Sequence, residues 1–205
     1  MSEPNNHYFS RDPQTASERR TIEATLRGER WSFVTDMGMF SPQHVDPGSR
    51  QLIEAMEIEP GERVLDVGAG YGPVGLVAAR LTGELGLVTM VEINQRAADC
   101  IAENAQRNDV SNVRVVVSDL FDPAEVGQQD VVVTNPPTHA GKQMVLELLR
   151  RAAASLRVGG RMYLVGHKYL GVKSLQAELE RTVGPVDLLD KGGGYRVILC
   201  VKTME

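Results

Sequence analysis

The chain has 205 residues, 42% hydrophobic and 24% charged, with a formal net charge of −5. That length sits near the upper end of one ordinary domain, and the composition is that of a globular protein in water. No apolar run approaches the roughly 18 residues that a bilayer span needs, and the charge balance argues against coating nucleic acid by charge alone.

The opening MSEPNNHYFSRDPQ lacks a basic flank followed by an apolar stretch, so no secretory signal is expected. Cys100 and Cys200 lie far apart in unlike contexts, which fits a reducing cytoplasm and neither a disulfide scaffold nor a cysteine zinc site. The expectation is a single cytoplasmic domain over 1–205, with an N-terminal extension over 1–58 and a core over 59–205.

In the extension, Ile22, Ala24 and Leu26 alternate with polar residues, as do Trp31 and Phe33 beyond Arg27-Gly28-Glu29. This predicts a β-hairpin, with Trp31 as packing rather than a base platform. DMGMFSPQHVDPG reads as a loop, and Asp46-Pro47 as the cap of a helix running to about Glu57. From residue 62 strand-like and helix-like segments alternate. RVLDV is a buried strand closed by glycines, and PVGLVAARLT a helix that tolerates Pro73 in its first turn. LVTMVEI is the next strand, followed by a helix from Asn94 to Asn108 with an Asn cap. VRVVVSD and DVVVTN are β-branched strands. Gly141 to Leu156 is helical, RMYLVGHK a strand, and Val172 to Val183 a helix. Pro185–Leu189 and Tyr195–Lys202 then form two strands joined through KGGG. The alternation predicts a doubly wound α/β fold with a parallel sheet and an antiparallel final hairpin.

The strongest local signal is Asp66-Val67-Gly68-Ala69-Gly70-Tyr71-Gly72. Glycines after a strand let backbone approach a ligand closely. Gly70, Gly72 and Gly75 also match the dinucleotide pattern G-x-G-x-x-G, yet the Asp66 carboxylate beside the loop disfavours a pyrophosphate. A cation without phosphates suits it, and S-adenosylmethionine meets that description. Glu92, about twenty residues on, can accept both ribose hydroxyls, and Asp119 can accept from the adenine amine. All three acids end strands, where open α/β sheets bind ligands; the bland alternative is that they are caps and turn acids. Ala69, Tyr71, Gly72, Ile93 and Leu120 flank these groups and, with Asn135 further along the chain, complete the candidate cofactor set.

Asn135-Pro136-Pro137-Thr138-His139 follows the fourth core strand. Asn-Pro is a common rigid turn, but two prolines also fix the Asn135 side chain and the Pro136 carbonyl as acceptors for the two N–H bonds of a planar amine. Such an amine is a poor nucleophile, so catalysis there rests on positioning for in-line attack on a sulfonium methyl. Pro137 and His139 join the candidate catalytic set; Phe40, Thr138, His139 and Lys142 are candidate substrate contacts. His139 is read equally as a base contact or a structural hydrogen bond. His7, His44 and His167 lack metal-like spacing, and no metal is expected.

D-V-G-A-G-Y-G, V-E-I-N, S-D-L-F, N-P-P-T-H-A-G-K and K-G-G-G-Y-R-V together resemble the class I S-adenosylmethionine-dependent methyltransferases. More narrowly they resemble the methyltransferase small domain group, which includes small-subunit rRNA guanine-N2 methyltransferases. H-Y-F-S, T-D-M-G-M-F-S and V-D-P-G-S-R extend the likeness over nearly the whole chain. The resemblance implies a seven-stranded, Rossmann-like sheet with a reversed final hairpin. It also implies cofactor contacts at Asp66, Gly68, Gly70, Glu92 and Asp119, target-amine contacts at Asn135 and Pro136, and a lid role for Phe40. Two departures stand out: related amine methyltransferases often carry an aromatic where this chain has Thr138, and larger members carry an additional N-terminal domain. Base stacking would then fall to His139, Phe40 or Tyr71.

Residues 138–175 contain seven Lys/Arg against Glu147 alone. They are either solvated surface or a positive face for RNA. The leading expectation is methylation of an exocyclic amine of RNA, guanine N2 of small-subunit rRNA. The alternatives are methylation of a protein glutamine amide and a non-catalytic, cofactor-binding RNA assembly factor.

Overall fold

The computed structural model describes residues 15–137, 140–168 and 172–203. Alternating apolar residues in β1 (Arg19–Leu26) and β2 (Glu29–Asp36) build an antiparallel ribbon in which Leu26 faces Glu29. Arg27 and Gly28 both take positive φ, 49° and 80°, as the tight turn between twisted strands requires. Glycine adopts this freely; Arg27 does not, and its guanidinium is held instead by the carbonyls of Ile53 and Met56 at 3.0 Å each. Those carbonyls close α1 (Pro47–Ala55), which stops short of Glu57 because Met56 is already extended.

The main sheet contains β3 (Arg63–Val67), β4 (Leu87–Glu92), β5 (Val113–Val117), β6 (Gln129–Thr134), β7 (Leu156–His167), β8 (Val186–Gly192) and β9 (Tyr195–Val201). Their order is β5-β4-β3-β6-β7-β9-β8, parallel throughout except for β9, which is antiparallel to both β7 and β8. The crossovers are α2 (Pro73–Thr82), α3 (Gln95–Arg107), α4 (Pro123–Val126), α5 (Lys142–Ser155) and α6 (Val172–Thr182). α4 was not anticipated. Its four residues are too few for a hydrophobic period, and only the Asp122 cap with Pro123 at the first position marks it. β7 also starts five residues earlier than Arg161, directly from the end of α5.

The central strands β3, β4 and β6 are apolar on both faces because each face is covered. Val64, Val88, Met90 and Val131 pack with α1, α2, α3 and the ribbon, while Leu65, Val67, Val132 and Leu164 pack with α5 and α6. Each such buried Val or Leu contributes about 1.5–3 kcal/mol of transfer free energy. Trp31 is buried, stacked 5.9 Å from Phe33 and covered by the Arg80 guanidinium, so it is packing as expected.

The ribbon is docked by side chains rather than by another strand. Asn104 of α3 exchanges two hydrogen bonds with Val34, at 2.6 and 3.0 Å, and Asn108 does the same with Ser32, at 3.0 and 2.8 Å. Four residues of helix rise about 6 Å and two residues of strand about 6.8 Å, so an i, i+4 pair can satisfy alternate residues of a strand edge.

Candidate active site

The chain order reverses between β3 and β6, and a cleft of about 340 Å³ opens there at the carboxyl ends of the strands. Its floor is the glycine loop between β3 and α2. Gly68, Gly70 and Gly72 all have positive φ, 75°, 59° and 94°. The Gly68 and Ala69 amides donate to the Val91 carbonyl, at 2.9 and 3.1 Å, and the Gly70 amide donates to Glu92 Oε2 at 2.7 Å. Those three amides are therefore committed inside the protein, unlike the amides that cradle a pyrophosphate. Gly75 packs rather than binds: a Cβ there would lie 2.8 Å from Met90.

Asp66 lines the cleft at 1% exposure, and its Oδ2 has no hydrogen-bond partner. Burial pushes its pKa up to about 7; the Gly75 amide works against the rise and the neighbouring Glu92 adds to it. Glu92 is also buried, and burial raises its pKa against the pull of the Asn94, Gly70 and Ile93 amides. Ile93 lines the cleft beside it, and Asp119, exposed at the end of β5, lines the far side. Gly72, Leu120 and Lys142 stand outside the lining: Gly72 caps α2, Leu120 packs under α5, and Lys142 opens α5 in solvent.

Asn135, Pro136 and Pro137 leave β6 beside the glycine loop. Thr134 Oγ1 donates to the Val67 carbonyl at 2.8 Å, and a Cβ on Gly68 would lie 3.7 Å from Pro137. Thr138 and His139 lie outside the described residues, as does the H-Y-F-S segment. The Asn135 Nδ2 donates to Asp46 Oδ2 at 3.0 Å and to Ser49 Oγ at 2.9 Å. Asp46 Oδ2 also accepts the Ser49 amide, capping α1, and Asp46 Oδ1 accepts the Tyr195 hydroxyl at 3.4 Å. Tyr195 meets His167 edge-on at 5.1 Å. Sequence reasoning missed Asp46, Ser49, Tyr195 and His167 as cleft residues. For Asp46 the local capping pattern was a complete explanation by itself.

Phe40, 37% exposed, lines the mouth on a loop that Asn94 Nδ2 ties down through the Gly38 carbonyl. Tyr71 lines the cleft beside the glycine loop. Its ring is buried against Phe33, and its hydroxyl donates to the His44 carbonyl.

The basic segment is also largely neutralised. Arg150 pairs with Glu178, Arg151 with Glu147, Arg157 with Asp130 and Arg161 with Glu62. Among the described residues no helix is long and apolar enough to cross a membrane.

A switch-point cleft floored by committed amides and lined by buried acids suits a positively charged nucleoside, and the seven-stranded order with an antiparallel final hairpin is the fold of the class I S-adenosylmethionine-dependent methyltransferases. The methyltransferase small domain model matches residues 30–199, and the chain belongs to that family. It is similar to the uncharacterized protein YbxB of Bacillus subtilis, 36% identical over 96% of this chain and 98% of that one. It also resembles ribosomal RNA small subunit methyltransferase C of Alcanivorax borkumensis, 35% identical over 65% of this chain and 42% of that one. Among solved structures it superimposes on the T. thermophilus 16S rRNA N2 G1207 methyltransferase in complex with AdoMet and guanosine. The TM-score is 0.79 at 30% identity, covering 93% of this chain and 52% of that chain. The chain thus spans about half the length of the rRNA methyltransferases it matches.

Proposed function

We propose that this protein transfers a methyl group from S-adenosylmethionine to an exocyclic amine of RNA, with guanine N2 of small-subunit rRNA as the target. The observation that carries the reading is the adjacency of two loops. The acid-lined glycine loop and the Asn135-Pro136 turn leave neighbouring strands and line one cleft. The likeness to rRNA methyltransferases of the family supplies the RNA substrate class.

The residues fit the cofactor: the buried Asp66 carboxylate, with one oxygen unpartnered, suits its positive charge, and Glu92 and Asp119 supply acceptors for ribose and adenine. Bound S-adenosylmethionine supplies an electrophilic methyl group on a cationic sulfur. Asn135 Oδ1 and the Pro136 carbonyl accept the two N–H bonds of the target amine and turn its weak lone pair toward the cofactor side of the cleft. As the amine nitrogen bonds to carbon it becomes strongly acidic, so its proton leaves without a strong base. The protein's contribution is positioning and electrostatics.

The test is transfer from labelled S-adenosylmethionine to small ribosomal subunits, naked rRNA and soluble protein from cells lacking this protein, followed by digestion. The expected product is labelled N2-methylguanine. Label in protein alone, or in another nucleotide position, overturns the assignment of the target.

A further inference from the structure

Asp46 and Ser49 come from the N-terminal segment, 89 and 86 residues before Asn135, yet they supply both acceptors for its side-chain NH2. We propose that Asp46 and Ser49 are positioning residues for methyl transfer: they hold the Asn135 carboxamide with both N–H bonds engaged, so that it meets its substrate as an acceptor only. The proposal rests on the reading of Asn135 as the amine-binding group.

A primary carboxamide is chemically ambivalent, because a half-turn about its last bond exchanges an acceptor oxygen for a two-proton donor. Free in a cleft, Asn135 could serve an amine or an oxo group equally well. Here the orientation is set by the network. One N–H meets a carboxylate, a charge-assisted bond, and the other a hydroxyl oxygen. Asp46 is itself immobilised by the Ser49 amide at 2.9 Å and by the Tyr195 hydroxyl. Gly48 lets this turn sit directly on Tyr195, since a Cβ there would approach the ring to 2.6 Å. All four side chains line the same cleft. With its donors spent, Asn135 has Oδ1 left for the substrate. An exocyclic amine finds an acceptor there; an exocyclic oxo group finds no donor from this side chain and would face an acceptor. The site therefore discriminates by exclusion as well as by attraction.

The side-chain amide protons of Asn135, assigned by their loss in Asn135→Ala, report the bonds directly by NMR hydrogen exchange on the full chain without substrate. Ser49→Ala and Asp46→Ala are expected to accelerate that exchange by about tenfold. Single-turnover transfer to small-subunit rRNA should fall by about tenfold or more in each variant while the Kd for S-adenosylmethionine moves less than about threefold. In an Asn135→Ala background, Ser49→Ala should cost less than about twofold more, because the two side chains act as one unit. Asp46→Asn, which keeps a carbonyl oxygen for both the helix cap and Asn135, should recover most of what Asp46→Ala loses. Should Asp46→Ala fail to fold for want of its cap, Ser49→Ala and Asp46→Asn carry the test. Unchanged exchange, or a Ser49→Ala penalty that persists in full in the Asn135→Ala background, overturns the positioning role alone. Full turnover in Asn135→Ala instead overturns the reading of the amine site, and with it the role of the pair.

Discussion

Asp66 carries a carboxyl group under the glycine loop, where burial raises its pKa to about 7 and one oxygen has no protein partner. A cation brought against it stabilises the ionised form, so binding S-adenosylmethionine below that pKa must expel a proton. Affinity should then rise with pH, roughly tenfold per unit between about pH 5.5 and 6.5, and level off above about pH 8. Calorimetry across that range reads the slope, and Asp66→Asn should weaken binding and flatten the profile. A wild-type Kd independent of pH would show that Asp66 does not face the cofactor's charge. The position of Asp66 was legible, since an acid before a glycine run at a strand end is a local pattern. Its state was not, because burial and the missing partner depend on packing. Asn135 divides the same way: the turn that presents it was readable, whereas Asp46 and Ser49 reach it only once α1 is folded against β7 and β9.

The ribbon's attachment to α3 shows how much depends on single amides at the level of elements. Asn104 is fully buried and bonds Val34 through both amide atoms; its Nδ2 also donates to the Tyr71 carbonyl of the glycine loop, at 2.9 Å. Asn104→Ala strands these backbone groups away from water, at about 1–3 kcal/mol for each one left unsatisfied. A loss of about 3 kcal/mol in urea unfolding is expected, with a smaller loss for the half-buried Asn108→Ala. Equal losses would mean that the deeper burial of Asn104 and its Tyr71 link add nothing over Asn108, whose Nδ2 also donates to the Asn104 carbonyl at 2.8 Å. The strands and the longer helices were readable because covered parallel strands are continuously apolar and α3 has an asparagine cap. The docking of ribbon on helix was not, since a buried asparagine at a helical position looks like any polar residue on a solvent face.

Across the whole molecule, the basic run of residues 138–175 loses most of its meaning once its neighbours are known. Four of its arginines face acids, three of them from outside the run: Glu178, Asp130 and Glu62. Sequence counts charges along the chain, but electrostatics depends on which charges meet. Binding of the proposed RNA substrate should therefore depend weakly on salt. A plot of log K against log salt should have a slope shallower than about −3, where seven phosphate contacts would give about −5 to −6. Fluorescence anisotropy with an rRNA fragment between about 50 and 200 mM salt measures it. A steep slope would show the arginines exchanging their acids for phosphates.

The two asparagines that close the edge of β2 lie 70 and 76 residues downstream of the strand they satisfy. A ribosome adding about 5–20 residues per second completes the ribbon roughly 4–15 s before α3 emerges to meet it. For that interval the nascent chain carries the ribbon's residues without the asparagines that satisfy the β2 edge, and a two-stranded ribbon alone is marginally stable in water. Until α3 arrives, that edge is open to water, a chaperone or the edge of a neighbouring nascent chain.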